Sequence, residues 1–267
     1  MFKINYKYAI VLGIVAFSSF QAPAKAASML GTANNFGVLG GSTVTNTGPS
    51  VIMQSLGVNA GSSATGFSPG IVNGTIFTSD AVAAQAQLDN ASAYNKLAAL
   101  SPTKELTGLD LGGMTLTPGV YSFSSSAQLT GKLTLDNLGD PNALFVFQIA
   151  STLTTASNSS VVTTNGEAPN VFFQIGSSAT LGTGTQFMGN ILALTSITLT
   201  TGVNIECGRA LAQNGAVTMD TNRVSSACDT KPQEVAVVPE PDSSLGVIGS
   251  GMVGLLFAFS KRFRKGW

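Results

Sequence analysis

The chain has 267 residues, 10% of them charged, with 13 basic and 13 acidic side chains, no histidine and zero formal charge. Phosphate recognition needs a concentrated basic surface, and this chain carries one only in its last residues, so nucleic acid is excluded as a partner. Without histidine no Ser-His or Cys-His nucleophile pair forms, and two cysteines alone do not make a zinc site, so neither metal nor cofactor is expected.

At the N-terminus, Lys3 and Lys7 precede an apolar stretch from Tyr8 to Phe20, followed by Ala22-Pro23-Ala24-Lys25-Ala26. This is the layout of a secretory signal peptide over residues 1–26. The alternative, a membrane anchor, is disfavoured because a span needs about 20 apolar residues. Residues 27–230 then form one expected domain, large enough to bury a sizeable core. It has many glycines, and Ser, Thr and Asn separate short apolar triplets, a composition that suits an all-β protein with many turns.

From Leu30 to Ile76 the chain reads as short strands broken by Gly and Asn. The segment Thr78 to Pro102 breaks that pattern and predicts a helix over about 79–100. Ser79 or Asp80 can cap it, Ala81, Ala84, Leu88, Ala91 and Leu97 approximate one apolar face, and Pro102 stops it. It is expected to pack along the β structure without chemistry of its own.

After the helix the chain repeats itself loosely. FVFQIASTLTTASNSSV (Phe145 to Val161) is echoed 26 residues on by VFFQIGSSATLGTGTQF (Val171 to Phe187). GNILALTSITLTTG (Gly189 to Gly202) is echoed 19 residues on by GRALAQNGAVTMDT (Gly208 to Thr221). Each piece is a pair of short strands about a polar corner, and self-similarity at such a period points to a β-solenoid of unequal coils. A sandwich is the rival, but it leaves the repeated Phe-Gln-Ile without a reason. Strands on both sides of the helix imply that the N-terminal coils stack on the C-terminal ones out of chain order. Cys207 and Cys228 lie about one coil apart, and in an oxidising compartment such a pair is more often a disulfide than a metal site.

The end of the chain has three parts: a linker at 231–237, then Pro239-Glu240-Pro241, then an apolar run Leu245 to Phe259 with Lys261, Arg262, Arg264 and Lys265 behind it. The apolar run is short for a permanent span. Residues 238–267 resemble the PEP-CTERM sorting signal of Gram-negative bacteria, which implies sorting and cleavage machinery as a partner; a simple C-terminal anchor is the alternative. Either reading places the domain outside the cytoplasm, secreted or at the cell surface.

LGTANNFGVLGGSTVTNTGPS, GDPNALFVFQIASTLTTASNSSV, VFFQIGSSATLGTGTQFMGNILALTSITL and GRALAQNGAVTMD together resemble the ice-binding β-solenoid family, over about residues 28–229. The resemblance implies an all-β-dominated fold, a discontinuous right-handed β-helix of triangular section with one long α-helix packed alongside. It also implies a non-enzymatic, monomeric protein that holds ice on one flat face rich in Thr, Ser and Ala. Some members carry Thr-Ala/Gly-x-Thr/Asn motifs at the edge of that face. Thr32-Ala33-Asn34-Asn35 and Thr201-Gly202-Val203-Asn204 fit this pattern, and Thr65-Gly66-Phe67-Ser68 and Thr183-Gly184-Thr185-Gln186 fit its first half. With Thr198, Thr200 and Thr218 from strand segments, the candidate ice-binding set is Thr32, Asn35, Thr65, Ser68, Thr183, Thr185, Thr198, Thr200, Thr201, Asn204 and Thr218.

Threonine suits that task. It offers a methyl group and a hydroxyl on a stiff β-branched stem, so little side-chain entropy is lost on contact. Outward Thr is also the ordinary β-propensity choice, so a whole uncharged face is needed to argue for ice. Two other functions compete. A solenoid lyase or hydrolase needs paired carboxylates or a carboxylate with Arg or Lys, whereas Asp110, Asp136, Asp140, Glu167, Glu206 and Asp220 are scattered singly. An extracellular matrix protein or adhesin binding exopolysaccharide is the stronger rival.

Overall fold

In the computed structural model, residues 29–167 and 170–228 are described. The proposed signal peptide and PEP-CTERM-like tail lie outside them, as do the linker and the ends of the expected domain. The described chain is a β protein with one long helix, and its strands pair only in parallel, in sheets of 15 and seven strands. Parallel strands need a long connection between neighbours. Here the connection is not a helix but the intervening strands of the same repeat, which belong to a different ladder.

The repeat lengths read from the sequence are the register offsets. Val146 pairs with Phe172, Phe147 with Phe173, Gln148 with Gln174 and Ile149 with Ile175, each 26 positions on. Asn190 pairs with Arg209 and Leu192 with Leu211, 19 positions on. The N-terminal strands then stack on the C-terminal ones: Val38 pairs with Ala210, Val44 with Val217 and Val51 with Arg223.

The Phe-Gln-Ile repeat has a direct physical reading. Strand alternation turns Phe and Ile into the core and Gln outward. The rings of Tyr121, Phe147, Phe173 and Phe187 form one column, with centroids 5.5, 4.4 and 4.7 Å apart. Outward, Gln148 Nε2 donates to the carbonyls of Leu97 and Leu100 at 2.7 and 2.8 Å, satisfying the last turn of the helix.

That helix, α1 (Ala81–Ala98), is capped by the Asp80 carboxylate, which accepts from Ala83 N. Ser79 is not the cap; its hydroxyl donates to Gly61 O. The expected apolar face is corrected: α1 buries Ala83, Ala86, Asn90, Ala93 and Leu97, while Leu88 is 66% exposed. A helix with alanine on every side has little amphipathic contrast, so the sheet beneath chooses which alanines it contacts. Ala86, Ala93 and Leu97 close on Val146, Phe172, Leu192 and Leu211, with Leu30 and Phe36 beside them.

Two long strands, Gln186–Ala193 and Asn204–Ala212, bend through a corner where their register shifts. Gly189 has φ 115°, and a Cβ on Gly208 would stand 1.8 Å from Gly189 O, so the two backbones pass at a distance only glycine permits. At that corner Arg209 is buried, donating to Asn34 O and Oδ1 and to Asn190 Oδ1. Burial lowers its pKa to about 10, which leaves it charged at neutral pH. Cys207 and Cys228 are joined as a disulfide across 21 residues. Reduction is expected to cost about 3 kcal/mol, the loop entropy returned to the unfolded chain, and a fall in Tm on adding dithiothreitol measures it.

Candidate functional site

The seven-stranded sheet runs Ala127–Leu129, Leu153–Thr155, Ala179–Leu181, Ile197–Leu199, Val217–Asp220, Thr43–Thr47 and Ser63–Thr65. Four of its strands carry an apolar-polar-apolar triplet (AQL, ATL, ITL, VTM) with the apolar positions facing the core; in the others Thr154 stands between Leu153 and a buried Thr155, Thr45 follows buried Val44, and Thr65 follows Ala64. Register therefore brings the middle residues into one line: Gln128, Thr154, Thr180, Thr198, Thr218, Thr45 and Thr65. Six consecutive threonines stand on six neighbouring strands, about 4.8 Å apart by ordinary strand spacing.

Hydrogen bonding separates this line from its flanks. Among the described residues, none of the six Thr hydroxyls has a hydrogen-bond partner. Just before the first four strands the hydroxyls are already engaged. Ser126 Oγ accepts from Thr152 Oγ1 at 2.9 Å, Ser178 Oγ from Ser196 N and Ser196 Oγ from Ala216 N, both at 3.3 Å. Beyond the strands, Thr200 Oγ1 donates to Leu181 O at 2.8 Å and Thr201 Oγ1 to Asp220 Oδ2 at 2.5 Å. The middle line thus offers methyls and unengaged hydroxyls, while its borders hold the backbone.

The structure does not bring the eleven sequence-derived candidates together. Thr65, Thr198 and Thr218 lie in the free line. Thr183, Thr200 and Thr201 stand at the adjoining corner, where Thr183 and Thr200 hydroxyls are 3.4 Å apart. Ser68 is exposed beyond the end of strand Ser63–Thr65. Thr185 is buried, its hydroxyl 2.8 Å from Thr155 Oγ1 and donating to Gly182 O, so it does not reach the surface. Asn204 belongs to the larger sheet and donates to Gln186 Oε1 and Glu206 Oε1. Thr32 and Asn35 form a 3₁₀ turn beside α1. There Thr32 donates through Oγ1 and N to Asp89 Oδ2, at 2.6 and 2.7 Å. These bonds, with a third from Gln85, hold the Asp89 carboxyl below its ordinary pKa, so the clasp is retained at neutral pH. The Thr-Gly motifs prove to mark a corner: Gly184 and Gly202 have φ near 71° and 72°, a conformation that favours glycine.

Thr45, Thr154 and Thr180 were not among the candidates. The signal that finds Thr154 and Thr180 is the recurring triplet LTT, ATL, ITL, VTM, once the repeats are aligned strand by strand; Thr45, in Val44-Thr45-Asn46, joins the line through its register with Thr218.

The single acids are tied to turns. Asp110 accepts from Gly112 N and from Thr130 N and Oγ1, and these bonds outweigh the burial that pushes its carboxyl upward, leaving it below the usual range. Asp136 accepts from Leu138 N and Asn165 Nδ2, which also lowers it. Asp140 accepts from Asn142 N. Glu206 lies 3.6 Å from Arg223 on the larger sheet.

Over residues 38–225 the chain matches the family described as ice-binding-like. The chain belongs to the ice-binding-like family. It is 86% identical, over the full length of both, to an ice-binding protein of Nostoc sp. (strain HG1). Among solved structures, an ice-binding protein from an Antarctic biological consortium is 47% identical, with a TM-score of 0.72 over 82% of this chain and 96% of that one. An ice-binding protein of the Antarctic ascomycete Antarctomyces psychrotrophicus is 40% identical, with a TM-score of 0.71 over 75% of this chain and 98% of that one.

Proposed function

We propose that this protein binds ice through the line of Thr154, Thr180, Thr198, Thr218, Thr45 and Thr65, and that by adsorbing it lowers the freezing point and slows recrystallisation. The observation that carries this reading is that six register-aligned threonines leave their hydroxyls unengaged on a parallel sheet. Ice presents a periodic array of oxygens and no charge. A matching surface must be regular, stiff and weakly hydrated. Strand pairing supplies the period, β-branched stems supply stiffness, and methyl groups exclude loosely held water. Each contact is weak, so many must act together.

The parallel ladders support a discontinuous right-handed β-helix of triangular section, the hand following the strong preference of parallel crossovers. One side of it is closed by α1, and one carries Lys132, Asp136, Glu206 and Arg223. The third is the threonine sheet, the least charged of the three.

We place its work outside the cytoplasm, which the disulfide and the signal-like first 26 residues support. The test is thermal hysteresis, ice shaping and recrystallisation inhibition with the purified protein. Faceted crystals and a measurable hysteresis gap are expected at micromolar protein. Rounded crystals with no gap at high micromolar concentration overturn the reading.

A further inference from the structure

The seven strands of the threonine sheet contain one charged residue, Asp220. It stands two positions after Thr218, so alternation turns it to the same outward side, and its register partner is Thr47, two positions after Thr45. Its carboxylate is half-buried and lies against the corner, with Oδ2 accepting from Thr201 Oγ1 at 2.5 Å and Oδ1 from Thr221 Oγ1 at 3.0 Å.

We propose that Asp220 limits the ice affinity of this surface, by holding a hydrated charge beside the threonine line. This rests on the ice-binding reading of that sheet. A carboxylate in liquid water is surrounded by molecules that reorient toward it. The lattice in ice cannot reorient, so seating the surface against it removes favourable solvation and returns little. The neighbouring threonines lose almost nothing in the same exchange. The two accepted hydrogen bonds offset part of the loss and hold the carboxylate in place. They also withdraw the Thr201 hydroxyl from the surface. An amide at 220 keeps an acceptor for one threonine and a donor for the other, because a hydroxyl can rotate to accept. It removes the charge with little change in shape.

The test compares the full chain with Asp220→Asn and Thr47→Asp at equal concentration, reading thermal hysteresis and Tm. Asp220→Asn is expected to raise hysteresis about twofold at unchanged Tm, and Thr47→Asp, which sets a second carboxylate beside the first, to lower it about fivefold. Lys132→Gln, on the larger sheet, is expected to leave hysteresis unchanged. An active parent with Asp220→Asn equal or weaker at the same Tm overturns the inference alone. If Asp220→Asn melts lower, Thr47→Asp decides, and unchanged hysteresis there overturns it. A parent that neither shapes ice nor shows hysteresis overturns the ice reading and this inference together.

Discussion

Thr198→Tyr is expected to reduce thermal hysteresis about tenfold while leaving Tm within a few degrees. Thr198 is at the centre of the line, paired with Thr180 on one side and Thr218 on the other. A phenol there stands above the plane of the methyl groups and lifts both neighbours off a flat lattice. The fold does not need the Thr198 side chain: it points outward and its hydroxyl has no partner, while Ile197 and Leu199 beside it supply the core. Thr201→Tyr is the informative comparison. Thr201 sits at the corner and donates to Asp220, so its replacement should cost less activity than Thr198→Tyr. Equal activity for Thr198→Tyr and the parent would show that the threonine line is not the ice surface.

Phe173→Ala is expected to destabilise the protein by about 3–5 kcal/mol, because the removed ring leaves a cavity that its neighbours cannot fill. Phe173 is fully buried, stacked on Phe147 at 4.4 Å and tilted against Phe187 at 4.7 Å. For a domain of this size the loss corresponds to a fall in Tm of about 10 °C. The column links three successive repeats through Tyr121, Phe147 and Phe173, so the gap also loosens the stacking that sets the spacing of the threonine line. Hysteresis should therefore fall together with Tm, in contrast to Thr198→Tyr, where activity falls alone. Calorimetry and hysteresis on the same samples separate the two outcomes.

These two substitutions mark the division between what is local and what is not. Strand content, the long helix and the repeat lengths are local properties, set by alternation, Gly and Asn corners and self-similarity, and they are readable along the chain. The 26- and 19-residue offsets seen in the sequence are the offsets of the ladders. Pairing of the N-terminal strands with the C-terminal ones follows from connectivity, since strands flank α1 on both sides. The helix face was not readable, because alanine on every side leaves the choice to the sheet it meets. The threonine surface was only partly readable. Motif matching found corners such as Thr183-Gly184 and Thr201-Gly202, whose glycines answer a backbone need. It also selected Thr32 and Thr185, whose hydroxyls are engaged by Asp89 and Gly182.

What separates Thr198 from Thr185 is therefore not residue type or neighbouring sequence. In the chain alone, both are threonines in Thr-rich strand-and-turn segments. One hydroxyl faces solvent without a partner, and the other closes a buried corner. The sequence by itself determined that the protein would be a stack of short parallel strands rich in uncharged threonine, because period, turn residues and composition are carried locally. Only the tertiary structure decided which threonines form one surface. Thr45 and Thr218 are distant in the chain and become neighbours only when the first strands close onto the last.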